Sequence, residues 1–501
     1  MPQAEKLHTN RVDAGTQARK RTVALAAGPL LALAVFFILP ASLAVEARSV
    51  AAVAVLMAIW WTTEAVPIPV TALLPVVLFP FFGVSTVGDT ATPYAHSIVF
   101  LILGGVLLGL AVQRWNLHHR IALLTILTFG TRPSQIVLGL MVASGFISAW
   151  VSNTATAVIM VPIGLSVIKL VKSVITTGVT KFSASVLLGI AYGITLGGFG
   201  TLIGQPVNPL LAAYLKDSHG ITIGFGEWML FGVPFAVVFI GLAWLVLTKF
   251  VYRAEFDEMP GGRLLFQTEL KALGVLGIEE KRVLGIFCFA VFGWLAVPFI
   301  SDIPAIAAAM PWLGNVNDTS IAVLVGVLTF MIPASRKNRG ALLTWKDTTE
   351  VPWGVLLLIG GGLALSAQFT SSGLSAWIGA QMGGLQVFPA IVLLAGVAVV
   401  LILLTELTSN TATAAAFLPV MGAVAVGAAV DPVLMSLTVA MAVTCAFMLP
   451  VATPSNAVAY ATGELDMRHM IRGGIWLNVA GVVIVIGMLY TLAPLVFGVA
   501  P

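Results

Sequence analysis

Charged residues are scarce in this chain, and their scarcity argues against a large soluble domain. Only 9% of the 501 residues are charged and 59% are apolar, whereas soluble domains carry about 25% charged residues. Apolar runs of roughly 18 or more residues, the length that crosses a bilayer, recur from Val23 to Leu495. The composition therefore predicts an all-α polytopic protein of the cell membrane.

Cysteines and familiar catalytic motifs are also rare or missing. The two cysteines, Cys288 and Cys445, both lie in apolar runs, which argues against a disulfide framework and a cysteine metal site. The sequence has no H-E-x-x-H, G-x-S-x-G or P-loop pattern. We therefore do not expect an enzyme, and the charge pattern gives no indication of nucleic-acid binding.

The most informative feature that is present is a motif written twice. Ser-Asn-Thr-Ala-Thr-Ala begins at Ser152 and again at Ser409, 257 residues later, within long apolar stretches. Small hydroxyl and amide residues at membrane depth need a functional or structural reason. A polar tip inside an apolar stretch is typical of a re-entrant hairpin, whose irregular backbone must be buried in protein or line a cavity. We predict two such hairpins, at 134–173 and 388–428.

About eleven further segments complete the predicted topology. With a cytoplasmic N-terminus and two re-entrant hairpins, 23 of the 25 basic residues fall in cytoplasmic segments, and only Arg48 and Lys216 fall outside. If the hairpins were full spans, the charges would scatter over both sides. The bias therefore favours re-entrance and an outside C-terminus. The predicted spans are roughly 23–45, 49–63, 65–83, 97–113, 183–214 (interrupted), 228–250, 283–300, 319–334, 351–369, 433–462 (interrupted) and 473–497.

Each half of the chain also has a proline-interrupted apolar stretch after its hairpin. The interruptions are Gly204-Gln205-Pro206-Val207-Asn208 and Ala452-Thr453-Pro454-Ser455-Asn456. Proline interrupts the backbone hydrogen bonds of a helix. Carbonyls left without a helical partner can then ligate a cation, and the N-termini of the half-helices can hold an anion. Because the first hairpin would enter from inside and the second from outside, we expect two inverted repeats.

The polar residues near the hairpin tips favour a hard cation such as sodium, which takes several oxygen ligands. No Lys or Arg occurs in either motif, so an anionic substrate would need co-bound cations to balance its charge. Glu406 beside the second motif has two interpretations, as a proton carrier or as a group that caps or pairs within the hairpin. Residues with suitable ligand oxygens are Ser148, Ser152, Asn153, Thr405, Ser409 and Asn410.

With these motifs in view, the chain resembles the divalent anion:sodium symporter family of sodium-coupled dicarboxylate, citrate and sulfate transporters. The segments from Trp60 to Ala65 and from Thr71 to Pro75 also look like the early part of that family. The resemblance implies a homodimer and an elevator motion, in which a transport domain moves against a fixed scaffold. The implied division is a cytoplasmic tail 1–22, scaffold helices 23–133 and 283–387, a cytoplasmic linker 252–282, and transport-domain parts 134–251 and 388–501.

The same resemblance implies the site residues. The first sodium site would use Ser148, Ser152, Asn153 and the Gly204 carbonyl, and the second Thr405, Thr408, Asn410 and the Ala452 carbonyl. The substrate carboxylates would meet Asn153, Thr154, Asn410, Thr411 and Thr453. One position departs from the family pattern, because Gln205 stands where many carboxylate carriers have threonine. We expect Gln205 to bind substrate and to influence which anion is selected.

These observations together predict a sodium-coupled carrier of small dicarboxylates of the succinate, malate and fumarate type. Two alternatives of the same fold stay open, a sodium-independent dicarboxylate exchanger and a sulfate or tricarboxylate carrier. A channel is a further class, but inverted repeats with two closed hairpins favour alternating access.

Overall fold

The computed structural model describes residues 21–130, 132–175, 179–254, 256, 262–301, 303–335 and 340–500. Within these ranges the regular elements are helices, and the only β-pairing is an isolated bridge between Pro333 and Ala341. Nearly all of the predicted tail 1–22 lies outside the described residues. So do three basic residues of the predicted cytoplasmic set, Arg336, Lys337 and Arg339.

The first half of the chain contains a hairpin, an interrupted helix and a long helix after an initial group of helices. Its helices are α1 (Arg21–Ile38), α2 (Val45–Thr63), α3 (Ile68–Thr71), α4 (Leu74–Phe81), α5 (Val87–Ala91), α6 (Ser97–Arg114), α7 (Leu117–Thr128), α8 (Pro133–Ser148), α9 (Asn153–Val174), α10 (Thr180–Gly198), α11 (Val207–His219) and α12 (Phe225–Leu245). The last turns of α12 continue as a π-helix over Val246–Val251.

The second half repeats this order of hairpin, interrupted helix and long helix. Its helices are α13 (Gly262–Ala272), α14 (Ile278–Ser301), α15 (Pro304–Ala309), α16 (Asp318–Met331), α17 (Trp353–Ser371), α18 (Leu374–Gln381), α19 (Ala390–Thr405), α20 (Asn410–Gly427), α21 (Pro432–Thr444), α22 (Pro454–Ala461), α23 (Met467–Thr491) and α24 (Ala493–Phe497). Short 3₁₀ segments lie at Thr92–Ala95, Pro311–Asn315, Trp345–Glu350 and Gly383–Val387.

Helices occupy all of the predicted spans and both predicted hairpins, so the all-α polytopic fold is confirmed. Ten helices of the described part are long and apolar enough to cross a membrane. They include α9, the second arm of the first hairpin, and α20, the second arm of the second hairpin. Length alone therefore does not distinguish a hairpin arm from a span. The predicted span 65–83 is two short helices, because Pro67 precedes α3 and Pro75 lies in the first turn of α4.

The predicted linker 252–282 contains a helix, α13, that the polar composition did not indicate. Phe266 on this helix is buried, and α13 packs against α7. The Arg120 guanidinium on α7 donates to the Glu280 carboxylate at 2.8 Å and also to the carbonyls of Leu273 and Gly274. The linker is therefore held against α7 by packing and hydrogen bonds.

Packing interlocks the two halves around their interrupted helices. The arms α8 and α9 both pack on α10, and the arms α19 and α20 both pack on α21. The second part of each interrupted helix crosses to the other half, since α22 contacts α9 and α10 while α11 contacts α20 and α21. This exchange brings both hairpin tips and both interruptions to one place.

Glycines allow the close approach that this arrangement requires. A Cβ atom on Gly197 of α10 would overlap the backbone of Gly145 on α8, so the two helices touch through their main chains. The hairpin tip that follows α8 consequently lies beside the break between α10 and α11. A hairpin of this kind stops beside the middle of its neighbour, as a re-entrant element must.

The outer surface carries large apolar side chains that water would not favour. Phe37, Phe81 and Phe250 are 71%, 79% and 80% exposed, respectively. Exposed apolar surface of this extent marks contact with another apolar phase. In a chain with many membrane-length helices, lipid acyl chains are the natural cover.

Candidate functional site

A cavity of about 670 Å³ lies where the hairpin tips and the interruptions meet. Side chains of α6 and α17 close the opposite wall, with Ile102, Val106 and Leu358 among them. All six residues expected to bind substrate line this cavity, as do five of the eight expected to bind sodium. These lining residues are Ser152, Asn153, Thr154, Gly204, Gln205, Asn410, Thr411, Ala452 and Thr453.

Four helix N-termini converge on the cavity. The residues that precede α9, α11, α20 and α22 are Ser152, Pro206, Ser409 and Thr453, and all four line the cavity wall. Each N-terminus carries roughly half a positive charge and presents free N–H groups. The arrangement suits an anion, although none of the described residues that line the cavity supplies a full positive charge.

Charged side chains are nearly absent from the cavity wall. Among the described residues that line it, Glu350 is the only charged one, and no lysine or arginine takes part. The two motifs already lack Lys and Arg, and this lack of basic residues extends to the whole described lining. An anion in this cavity would therefore be held by dipoles, hydroxyls and amides, together with whatever cations bind beside it.

The first group of converging oxygens lies beside Gly198. Ser148 Oγ donates to Asn153 Oδ1 at 2.5 Å across the hairpin tip. A Cβ atom on Gly198 would lie 2.8 Å from Asn153 Oδ1, 3.2 Å from the Gly204 carbonyl oxygen and 3.3 Å from Ser148 Oγ. Three oxygens from three chain segments therefore surround one small space, which glycine leaves open. A hard cation uses this type of donor.

The second group is built from the equivalent residues of the other hairpin. Thr405 Oγ1 donates to Asn410 Oδ1 at 2.6 Å, and it lies 3.2 Å from the Val443 carbonyl oxygen. The Thr408 hydroxyl takes a different direction, since it bonds the Leu404 carbonyl and the Thr413 hydroxyl. Ser148, Thr405 and Thr408 are buried behind the cavity wall and do not line it.

Four helix C-termini end at these two oxygen groups. The helices α8 and α10 end at Ser148 and Gly198, and α19 and α21 end at Thr405 and Thr444. A helix C-terminus carries roughly half a negative charge. The hairpin tips and the interruptions therefore direct the negative helix C-termini toward the oxygen groups and the positive helix N-termini toward the cavity.

Two buried asparagines shape the interruptions, a role that the sequence analysis did not assign. Asn208 Nδ2 donates to the carbonyls of Gly198, Phe199 and Thr201. Asn456, 248 residues later, donates to the Ala446 and Leu449 carbonyls at the equivalent places. Unpaired buried carbonyls are costly, so these amides stabilise the unwound segments. Each asparagine is the fifth residue of its interruption, and this repeated position was the available signal.

Glu406 caps the unwound segment between α21 and α22, which includes the start of the second interruption. Its buried carboxylate accepts hydrogen bonds from the backbone N–H groups of Phe447, Met448 and Leu449 at 2.8–3.1 Å, and from Asn478 Nδ2 at 2.7 Å. Of the two interpretations given to Glu406, this geometry favours a cap, although the capped segment lies between α21 and α22 and not within the hairpin. The carboxylate joins the second hairpin to the unwound segment that leads to Ala452.

An aromatic cluster holds the tip of the first hairpin. The Trp150 ring stacks on Trp294 with centroids 6.5 Å apart and meets the edge of Phe287 at 4.9 Å. Phe225 at the start of α12 completes the stack, 4.2 Å from Trp294. The second tip has Leu407 at the equivalent place, and that side chain is 65% exposed.

These features define a membrane-embedded helical carrier with a cavity between the tips of two hairpins. The family described as "Sodium:sulfate symporter transmembrane region" matches residues 19–498. Since the match covers nearly the whole chain, the protein belongs to this family of transporters. The family indicated by the two Ser-Asn-Thr motifs is thereby confirmed.

Similar proteins include two that bear the name sodium-dependent dicarboxylate transporter SdcS. The Staphylococcus saprophyticus protein is 38% identical over 484 residues, which cover 95% of this chain and 92% of its own. The protein from Staphylococcus aureus strain bovine RF122 is 39% identical over the same shares.

Two solved structures share the fold at low sequence identity. The Alcanivorax borkumensis YdaH transporter has a TM-score of 0.58 and 14% identity, covering 82% of this chain and 88% of its own. Neisseria gonorrhoeae MtrF has a TM-score of 0.56 and 13% identity, covering 80% of this chain and 82% of its own.

Proposed function

We propose that this protein is a secondary active transporter that carries small dicarboxylates together with sodium ions. The observation that carries the proposal is the pairing of two oxygen groups with one cavity that has no basic side chain among its described lining residues. The relatives named for sodium-dependent dicarboxylate transport support the same choice of ion and substrate.

Electrostatics favours joint binding of cation and anion. The four N-termini at the cavity and the four C-termini at the oxygen groups contribute opposite charges of similar size. The helix ends therefore orient the ligands but leave a doubly charged anion without net compensation. Because uncompensated charge at membrane depth costs several kcal/mol, substrate affinity should rise steeply with the concentration of a cation that fits the oxygen groups.

Most of the predicted ligands have a place in this scheme. Ser148, Ser152, Asn153 and the Gly204 carbonyl would bind the first sodium ion. Thr405, Asn410 and the Ala452 carbonyl would bind the second, whereas the Thr408 hydroxyl is directed to Leu404 and Thr413 and would not reach it. Substrate carboxylates would take N–H and O–H donors from residues at the two hairpin tips and the second interruption, namely Asn153, Thr154, Asn410, Thr411 and Thr453.

We further propose an elevator motion in a homodimer, with α8–α12 and α19–α24 as the moving part. The interlocking of these helices supports their movement as one unit. The cavity reaches Gln113 and Glu350, next to the Arg114–Asp347 ion pair, on the side that the basic residues predict to be cytoplasmic. Under that orientation, this conformation faces the cytoplasm.

The test is substrate binding and uptake in matched sodium, potassium and choline buffers at fixed pH. Labelled succinate should accumulate in proteoliposomes with a sodium gradient and bind tightly only in sodium. Unlabelled sulfate and citrate serve as competitors that separate the alternative substrates. Equal binding in all three buffers, with uptake driven by internal dicarboxylate, would instead establish a sodium-independent exchanger.

A further inference from the structure

The side chain of Gln205 is fixed in one orientation by its neighbours. Asn208 uses its amide Nδ2 on three backbone carbonyls, so its Oδ1 must accept from Gln205. Gln205 Nε2 donates to that oxygen at 3.1 Å and to Thr444 Oγ1 at 2.9 Å. The Thr444 hydroxyl is free to accept because its own hydrogen goes to the Ala440 carbonyl. The network therefore assigns the nitrogen and the oxygen of the Gln205 amide.

This assignment determines what Gln205 can offer to a ligand. An amide nitrogen carries two hydrogens, and both are used inside the protein. The remaining group is the carbonyl oxygen Oε1, which diverges from Nε2 at the same carbon and accepts no hydrogen bond from the described residues. Gln205 lines the cavity although it is only 5% exposed. It therefore presents a fixed hydrogen-bond acceptor beside the proposed substrate site.

A carboxylate has no hydrogen to donate, so an acceptor does not recognise the charged ends of a dicarboxylate. It can recognise a hydroxyl group on the carbon chain between them. Resting on the proposed function, we infer that Gln205 Oε1 accepts a hydrogen bond from the hydroxyl of a 2-hydroxy dicarboxylate. The favoured substrate class is thus malate-like, with a hydroxyl that succinate lacks.

The second interruption provides an internal contrast. Thr453 occupies the position equivalent to Gln205, 248 residues later. Its hydroxyl caps Asn456 N at 3.2 Å and pairs with Ser455 Oγ at 3.0 Å. Only the first interruption therefore places a long amide at this point. One acceptor on one side of the cavity also distinguishes the two enantiomers of malate.

The test compares succinate, L-malate and D-malate as competitors of labelled succinate uptake in sodium. The variants are Gln205→Met, which keeps the length but replaces the amide by a thioether that accepts hydrogen bonds only weakly, and Gln205→Thr, which copies Thr453. We expect both to weaken the better malate enantiomer relative to succinate by roughly tenfold, the effect of one hydrogen bond, and to reduce enantiomer discrimination. Thr195→Val is the matched control, because it removes another bond between the halves, to Ser455, without touching Gln205. Its malate-to-succinate ratio should equal that of the unaltered protein.

Three results distinguish a failure of this inference from a failure of the proposed function. If both variants take up succinate and keep the original malate-to-succinate ratio, the inference is wrong and the proposed function stands. If they raise the sodium requirement equally for both substrates, Oε1 ligates sodium and the inference is again wrong. If the unaltered protein shows no sodium-stimulated uptake of any of the three acids, the proposed function fails and the inference with it. Size-exclusion elution identifies a variant that has not folded, and the other variant then decides.

Discussion

The substitution Glu406→Gln tests whether the buried carboxylate is a structural cap or a proton carrier. Glutamine has the same shape, but one of its two terminal atoms becomes an N–H₂ group. Its oxygen can keep Phe447 N–H and Asn478, which both meet Oε1 in the carboxylate. The amide nitrogen then faces Leu449 N–H, which donates to Oε2 at 3.0 Å, so two donors confront each other.

The size of the effect follows from these contacts. One buried N–H group without an acceptor costs about 1–3 kcal/mol, and the remaining donors lose the strength that a charged acceptor gives them. We expect a total loss of about 3 kcal/mol of stability. Because the capped segment leads to Ala452, the concentration of sodium that half-saturates uptake should also rise.

Thermal denaturation of the purified protein in detergent, followed by tryptophan fluorescence, measures the first effect. The midpoint for Glu406→Gln should fall by several degrees, and Glu46→Gln, which neutralises an exposed carboxylate in the first turn of α2, should lower it far less because only a helix-end charge is lost. Uptake measured across a pH series addresses the rival role. The cap would be refuted if Glu406→Gln left the stability unaltered and removed a pH dependence of uptake that the original protein shows. That result would identify Glu406 as a proton carrier.

Three further predictions concern the hairpins and the end of α10 beside the first of them. Asn153→Ala and Asn410→Ala should each abolish sodium-driven uptake in folded protein, because each removes an oxygen of one cation group worth on the order of 1–3 kcal/mol. Gly198→Ala should raise the sodium requirement steeply, since its methyl group fills the first cation space, whereas Gly241→Ala meets no atom within 4 Å and should have no effect. Trp150→Leu should lower stability by about 2–4 kcal/mol in the same denaturation assay, through loss of its aromatic stack.

Each of these predictions has an outcome that contradicts it. Uptake near the original level in either asparagine variant would remove that hairpin from cation binding. Sodium affinity that is unchanged in the Gly198 variant would show that the cation lies elsewhere. For Trp150, the exposed Leu407 at the other tip provides the comparison, and an equal effect of Leu407→Ala would mean that the stack adds nothing specific.

Sequence reasoning succeeded where local chemistry alone decides the structure. A polar motif inside an apolar stretch cannot face lipid, so Ser152 and Ser409 marked hairpin tips before any contact was known. Prolines marked the interruptions for a similar reason, because Pro206 and Pro454 cannot continue a helical ladder. Both signals depend on residues close together in the chain.

The features that sequence reasoning missed depend on contacts between distant residues. The orientation of Gln205 follows from Thr444, 239 residues away, and the cap by Glu406 follows from amides 41 or more residues away. The helix α13 escaped notice because its polar composition resembles that of a linker, and only its packing on α7 reveals its buried side. No local pattern encodes such pairings.

Comparison of the two halves shows which features are general to the binding design and which are particular to one half. The oxygen pairs Ser148–Asn153 and Thr405–Asn410 and the asparagines of the interruptions occur twice in equivalent places. Three features occur once, since Trp150, Gln205 and Glu406 have Leu407, Thr453 and Ala149 as their counterparts. A feature that both halves need for binding a cation is expected to be duplicated. The unduplicated residues are therefore the places where this chain can differ in substrate choice, tip anchoring and the rigidity of one interruption.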